Sequence, residues 1–206
     1  PYKTPPSAST LSLAGQGGLS PRETVLFSNP VVDARHNVYV ADNFNYRVLM
    51  YKDPFDPAND TAADEVWGQG GDFTTAVRNK GGLSANSLSF DGMVGLDVDP
   101  QGNLWIADSG NHRVLRFPFD PAKGRPRTTA DFVLGQTDFN QWTARGDDSF
   151  DRLHLPLAVR VDAQGNVYVL EWGDQPAACR LMKWSGASVA AAIASGKKTV
   201  AATAKL

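Results

Sequence analysis

The chain has 206 residues, 42% of them hydrophobic and 20% charged, which is the composition of an ordinary globular protein. Its formal charge of −2 argues against a general attraction to nucleic acid or to an anionic membrane, and no apolar run approaches the roughly 20 residues of a membrane-spanning helix. The single cysteine, Cys179, excludes an intrachain disulfide.

Along the chain, residues 1–10 are predicted to be an N-terminal extension. The apolar Gly-Gln stretch at 11–16 predicts a strand of a preceding or closing unit. Because the sequence starts at Pro1 rather than Met, we expect it to be a portion or a processed form of a longer protein. Three similar units follow, at about 25–70, 90–137 and 155–206.

The three units share landmarks in a fixed order. An Asp ends the first predicted strand and an Asn begins the second, at spacings of 66 and then 63 residues. A repeated arrangement of this kind indicates an architecture built from similar modules. The paired landmarks are Asp33 and Asn37, Asp99 and Asn103, and Asp162 and Asn166.

Each unit predicts four short strands. Stretches such as 96–99 and 159–162 alternate apolar and polar residues, as half-buried strands do. The Asp-x-x-Gly-Asn segments at 99–103 and 162–166 predict tight hairpins, because Gly and Asn tolerate positive φ angles. Four antiparallel strands repeated in tandem without intervening helices predict an all-β fold of β-propeller blades. A β-sandwich does not account for the repeat.

A polar constellation recurs between the second and third predicted strands. Because a catalytic site is normally built once, the repetition favours a structural role, in which charge-assisted hydrogen bonds join adjacent strands. The constellation consists of Asp42, Asn45 and Arg47 in the first unit and of Asp108, Asn111 and Arg113 in the second.

These motifs resemble those of NHL-repeat β-propeller proteins. The pattern Gly-Asn-hydrophobic-Tyr/Trp-Val-Ala-Asp-x-x-Asn-x-Arg-Val is met most closely at 102–114, which includes the sequence Asn-His-Arg, and is nearly met at 37–48. The resemblance covers about residues 11–184 and implies a propeller with three recognisable blades. Its long period and the Val-Leu-Gly-Gln at 133–136 are similar to bacterial members that are often exported. The resemblance therefore implies an extracytoplasmic protein, whether periplasmic, cell-surface or secreted.

The third copy departs from the family pattern. Leu170 and Glu171 replace Ala-Asp, and an insertion at 173–176 displaces Arg180. This departure predicts a blade that is terminal or differently used.

Three blades are fewer than the four or more of known propeller rings. An open arc exposes edge strands and the apolar sides of its outer blades, which is an aggregation hazard. Two alternatives remain open: the chain is part of a longer propeller, or a second copy or another protein completes the ring. The segment 185–206 is rich in Ala, Ser and Lys, and its alternatives stay open: residues 199–204 fit a weak fourth strand of the third blade, and residues 187–194 fit a short helix or a linker equally well.

Three histidines are enough in number for a zinc site, but their places in the predicted topology argue against one. His112 and His154 are expected on one face of the disc and His36 on the other, so the three do not converge. No Gly-x-Ser-x-Gly motif is present, and Cys179 lies in no catalytic motif. The sequence therefore predicts no catalytic residue, no metal and no cofactor.

The basic residues do not indicate a nucleic-acid-binding site. Lys123, Arg125 and Arg127 share a loop with Gly and Pro but no aromatic platform, which favours a solvated loop. Two short motifs carry no weight: an integrin-type Arg-Gly-Asp at 145–147, expected by chance in roughly a few per cent of such chains, and a lone glycosylation sequon at 59–61.

The long loops at about 70–89 and 137–154 are the most promising surfaces. The second carries aromatic rings among charges, a composition typical of interface hot spots, although the rings fit equally well folded over the blade edges. The candidate interaction residues are Phe139, Trp142, Arg145, Phe150, His154 and His112.

The sequence thus favours a non-enzymatic protein–protein interaction or scaffold module that belongs to a larger exported protein or assembly. Its expected partner is another protein or a second copy that completes the propeller, with neither nucleic acid nor membrane insertion involved. The alternative is an enzyme, a metal-assisted lyase or hydrolase, whose site is assembled only in a complete ring.

Overall fold

The structure is a computed structural model that describes residues 29–59, 62–145, 149–173 and 179–206. The predicted extension at 1–10 and the predicted strand at 11–16 lie outside these residues. So do two residues of the sequon and the Gly-Asp of the Arg-Gly-Asp tripeptide. In the described part of the chain, no helix has the length and apolar character needed to cross a membrane.

Blade one is a four-stranded antiparallel sheet. Its strands are β1 (Val31–Val32), β2 (Val38–Asp42), β3 (Arg47–Tyr51) and β4 (Glu65–Trp67), which lie side by side in chain order. A 3-10 turn at Asn43–Asn45 joins β2 to β3 and is followed by a left-handed residue, Tyr46. The sheet is a simple meander, so neighbours in sequence are neighbours in space.

Blade two repeats this arrangement and adds a small hairpin. Its main strands are β5 (Leu96–Val98), β6 (Leu104–Asp108), β7 (Arg113–Phe117) and β10 (Phe132–Leu134). Between β7 and β10, β8 (Phe119–Asp120) and β9 (Arg125–Pro126) form a separate two-stranded sheet. A 3-10 turn at Ser109–Asn111 again precedes a left-handed residue, His112.

Blade three contains the only α-helix among the described residues. Its strands are β11 (Pro156–Val161), β12 (Val167–Glu171), β13 (Arg180–Trp184) and β14 (Ala204–Lys205), and helix α1 (Gly186–Ala194) lies between β13 and β14. The C-terminal segment therefore contributes both a helix and a strand, and the Ser185 hydroxyl caps the helix by accepting a hydrogen bond from the Ser188 N–H (3.1 Å). With three four-stranded antiparallel sheets in tandem, the predicted all-β propeller-type architecture is confirmed.

The core lies between the blades. We call the face that each blade turns toward the next its forward face, and the opposite face its rear face. One apolar cluster joins the forward face of blade one to the rear face of blade two, and a second joins the forward face of blade two to the rear face of blade three. The forward face of blade one contributes Tyr39, Ala41, Val48 and Met50, against Leu104, Ile106, Leu115 and Phe117 of blade two. The forward face of blade two contributes Trp105, Ala107, Val114 and Leu134. These residues pack against Val167, Val169, Met182 and Trp184 of blade three.

Blades two and three pack tightly at Gly95, just before β5. A Cβ atom added there would lie 2.5 Å from the Cα of Ala158 in β11, a separation that real contacts do not allow. We therefore expect Gly95→Ala to lower the free energy of unfolding by about 1–3 kcal/mol, because the backbone of a neighbouring blade has to move. Urea denaturation followed by tryptophan fluorescence measures the loss.

Gly70→Ala is the matched control, because Gly70 has open space around it and differs only in its positive φ of 64°. Any loss in that variant reports backbone strain alone. Equal stabilities for Gly95→Ala and the unsubstituted chain would show that the blades are not packed this closely.

Candidate functional site

The corner between β6 and β7 holds a fully buried ion pair. The guanidinium Nε of Arg113 donates to Asp108 Oδ2 at 2.7 Å, and neither side chain is exposed. Asp108 also accepts from the Asn111 amide at 2.8 Å and from the Ser89 N–H at 2.7 Å. Burial raises the pKa of Asp108, and these donors oppose that rise.

The other donors of Arg113 bind the long loops on either side. They reach the carbonyls of Phe139 (2.5 Å), Ser84 (3.0 Å) and Ser87 (2.9 Å). One buried arginine therefore joins two strands of blade two to the segments that enter and leave it. The hydrogen-bond donors of Arg113 therefore stabilise the fold and are not directed at a ligand.

Blade one contains the same corner. Arg47 Nε donates to Asp42 Oδ2 at 2.8 Å, Asn45 donates to both oxygens of Asp42, and Arg47 reaches the carbonyl of Phe73 at 2.6 Å. Both charged side chains are fully buried. The loop carbonyls of Phe73 and Phe139 occupy equivalent positions, 66 residues apart in the repeat.

Blade three rebuilds the corner with Glu171 and Arg180, at the positions where its sequence departs from the repeat pattern. Arg180 pairs with Glu171 across β12 and β13, and its Nε donates to Glu171 Oε1 at 2.5 Å. A second cation, Arg145, donates to the same oxygen at 2.7 Å, and the His154 N–H donates to Oε2 at 2.8 Å. Nine residues separate Glu171 from Arg180, against five in the other blades, yet register brings them together. The signal in the sequence was the acid at the repeat position and the Arg that opens 180–184.

The Asp-to-Asn hairpins carry a second recurring network. Asp99 accepts from the Asn103 amide (2.8 Å) and from the indole N–H of Trp105 (2.9 Å), which points back along the strand. The sequence marked the Asp and the Asn but not this aromatic donor. The equivalent donors are the hydroxyls of Tyr39 to Asp33, at 3.0 Å, and of Tyr168 to Asp162, at 3.2 Å.

The structure brings two of the three histidines together. The rings of His112 and His154 stack with centroids 5.1 Å apart and planes 10° from parallel. His112 Nδ1 accepts from the Leu155 N–H at 3.1 Å, and His154 Nδ1 donates to the Trp172 carbonyl at 2.9 Å. His36 is exposed in another turn, 3.7 Å from Asp53. Among the described residues, no group of three His, Cys, Asp or Glu side chains is arranged to hold a metal ion.

The candidate interaction residues on the second long loop occupy separate places. Phe139 packs against the core between blades one and two. Phe150 lies beneath the Lys205 ammonium, 4.7 Å from its ring centre, at the outer edge of blade three. Arg145 is in the corner of blade three. Only Trp142, 63% exposed, presents most of an aromatic ring to solvent.

Two of the three basic loop residues lie close to acids of the chain. Arg125 forms an ion pair with Glu65 of blade one, and Arg127 lies 3.7 Å from Asp120. The lone thiol, Cys179, is exposed beside β13.

A cleft of about 650 Å³ lies between blades two and three, beside helix α1. Its walls include Trp105, Phe119, Val161 and Ile193, and they are mainly apolar. The acid at its floor, Asp99, is already occupied by its own hairpin. The cleft offers no pair of groups placed for acid–base chemistry.

One protein-family model matches part of this chain. The model of the family described as NHL repeat matches residues 90–117, which include β5, β6 and β7. None of the curated proteins matches the chain in sequence. A solved structure of streptogramin B lyase is similar over 77% of this chain at 9% identity and a TM-score of 0.43, and the match spans 37% of the lyase chain. The matched repeat lies in blade two, and the same four-stranded arrangement recurs in blades one and three, which supports an NHL-repeat protein of the β-propeller type.

Proposed function

We propose that this chain is a non-enzymatic protein-interaction module and that the forward face of blade three is its binding surface. The partner is a second copy of the chain or another protein. We further propose that the module belongs to a larger exported assembly, which is supported by the resemblance of its long-period repeats to exported bacterial proteins.

One observation carries the proposal, namely a row of uncovered leucines across blade three. Leu170 pairs with Leu181, and the backbones of Leu181 and Leu206 exchange two hydrogen bonds of 3.0 Å. Leu170 is 45% exposed and Leu181 is 39% exposed. A contiguous apolar row on a sheet face is a surface that another protein surface can cover.

The other two blades show that this position is normally buried. Their equivalent rows, set by the same strand register, are Ala41, Val48 and Trp67 in blade one and Ala107, Val114 and Leu134 in blade two. Every member of these two rows is less than 5% exposed, because the next blade covers it. Blade three presents the same kind of face to solvent, with leucines at the positions that hold Ala and Val in the other two blades.

The recurring charged residues support a role other than catalysis. Each buried acid of the three corners is paired with an arginine of its own blade, and those arginines also bind loop carbonyls. A general acid, base or nucleophile has to reach a substrate. These groups instead stabilise the fold.

The leucine row is tested by the double substitution Leu170→Ser and Leu181→Ser. We expect the unsubstituted chain to associate as its concentration rises and the double variant to associate at least about tenfold more weakly, since each buried leucine contributes roughly 1.5–3 kcal/mol. Sedimentation velocity over a range of concentrations measures the change.

Phe55→Ser is the matched control, because Phe55 is 90% exposed in a loop of blade one. It should leave association unchanged. If the double variant and the unsubstituted chain showed the same mass at every concentration, the forward face of blade three would not be a binding surface.

A further inference from the structure

Each of the two internal blade interfaces carries an acid on the earlier blade and a cation on the later one. Between blades one and two, Glu65 of β4 forms an ion pair with Arg125 of β9. Between blades two and three, Asp97 of β5 accepts from the Val161 N–H at 2.7 Å and lies 3.7 Å from Arg160 of β11. In both interfaces, therefore, the earlier blade contributes the carboxylate and the later blade contributes the cation.

Both acids belong to one cross-strand row, next to the row of small apolar residues. In blade one this row pairs Tyr39, Met50 and Glu65, and in blade two it pairs Asp97, Trp105 and Arg116. Each row contains one acid, which lies on the fourth strand in blade one and on the first strand in blade two. The same register identifies the corresponding residues in blade three.

The row of blade two already includes one cation, Arg116, beside its acid, and the row of blade three has cations alone. It pairs Arg160, Tyr168, Lys183 and Ala204, with two cations and no carboxylate. The Arg160 side chain is 55% exposed, although its guanidinium also donates to the Leu96 carbonyl at 2.5 Å and lies near Asp97. Lys183 Nζ lies 5.4 Å from the centre of the Tyr168 ring. The adjacent leucine row adds no charge.

The neighbouring row also differs in size. Where blades one and two place Ala41 and Ala107, blade three has Leu170, and where they place Val48 and Val114, it has Leu181. Suppose that a further blade packed on blade three as blade two packs on blade one. It would clash with the larger leucine side chains, because closely packed interfaces tolerate added side-chain volume poorly. Its counterpart of Arg125 would face Ala204, the position of Glu65, on the strand next to Lys183.

We propose that the forward face of blade three binds an apolar protein surface bordered by carboxylates, and not a further blade of the kind present in this chain. This inference rests on the proposed function and specifies the chemistry of the partner. The leucine row supplies the apolar contact, and Lys183 selects the acidic border by charge complementarity.

Two synthetic peptides test the selection by charge. One alternates leucine and glutamate over about twelve residues, and the other alternates leucine and lysine. We expect the chain to bind the glutamate peptide at least about tenfold more tightly at low salt and to lose most of this preference at about 0.5 M NaCl, where exposed charges are screened. Fluorescence anisotropy of labelled peptides gives both affinities.

Substitutions then locate the site. Lys183→Glu should weaken binding of the glutamate peptide by about threefold to fivefold, as expected for an exposed ion pair, and Lys123→Glu on the β8–β9 loop should not. Leu170→Ser with Leu181→Ser should abolish binding of both peptides. Far-ultraviolet circular dichroism checks that each variant is folded.

The outcomes separate this inference from the proposed function. Equal binding of the two peptides, lost in the double leucine variant, would overturn the acidic partner and retain the apolar binding surface. Association of the chain with itself through the leucine row, insensitive to salt, would show that a second copy covers the face and would also overturn the inference. Failure of both peptides to bind, with no association of the chain, would overturn both proposals.

Discussion

Replacing Asp108 by Asn is expected to lower the free energy of unfolding by about 3–5 kcal/mol, as is usual when one member of a buried ion pair is removed. Arg113 would keep its charge in a fully buried position with only neutral partners. The carbonyls that it also binds cannot neutralise the charge. Urea denaturation at neutral pH measures the loss.

Two controls separate the buried charge from other effects. Asp131→Asn removes an acid from another ion pair of the same blade, with Arg116, but the Asp131 side chain is 32% exposed, so we expect about 1 kcal/mol or less. Asp108→Asn combined with Arg113→Met should recover part of the loss, because the unpaired cation is then absent. A stability of Asp108→Asn within about 0.5 kcal/mol of the unsubstituted chain would contradict the pairing.

Replacing Trp67 by Ala is expected to cost about 3–5 kcal/mol, the range for removing a large buried aromatic side chain. Trp67 is fully buried in the cluster that joins blades one and two, with its ring centre 5.9 Å from that of Tyr39. Its indole N–H donates to the Arg127 carbonyl of blade two at 2.8 Å. The substitution removes both the packing between the blades and this hydrogen bond.

Trp142→Ala is the matched control, since the same side chain is removed from a position that is 63% exposed. Its effect should fall within about 0.5 kcal/mol of zero. Thermal denaturation of the two variants side by side gives the comparison. Equal losses in both would mean that blades one and two are not held together by this cluster.

The blades were predictable because their signals are local. In blade two, alternating residues at 96–99, a Gly at 102 with φ of 85° and an Asn at 103 together specify two strands and the turn between them. Such preferences act within a few residues and need no distant partner. The C-terminal segment was less predictable, because its sequence fits a helix or a linker and only packing of Val189 and Ala192 against blade three selects the helix.

The polar corners show which contacts a local sequence pattern can predict and which it cannot. Asp108 and Arg113 are five residues apart and directly opposite in the sheet, so the sequence pattern placed them together. Glu171 and Arg180 are equally opposite, although four extra residues in the connection displace Arg180 from its place in the repeat pattern. The third member, Arg145, comes from a loop 26 residues away and is found only when the chain is folded.

The interaction residues proposed from the second long loop remain predictions, and the structure distributes them differently from a single patch. Phe139 and Phe150 lie at opposite ends of the loop and contact different blades. Loop sequences specify composition but not direction, because their backbone follows no repeating geometry. The surface that the structure favours, with Leu170 and Leu181, lies instead on strands that the repeat had marked only as irregular.

The order of polar and apolar residues along this chain was sufficient to specify strands, hairpins and the repetition of blades, because each depends on neighbours a few positions apart. Only the folded structure decided which faces are buried and which charges meet. Gly95 against Ala158, and His112 beside His154, are contacts between segments of different blades. The same alternating pattern is covered in blades one and two and uncovered in blade three, since burial depends on what packs against a face and not on the residues within it.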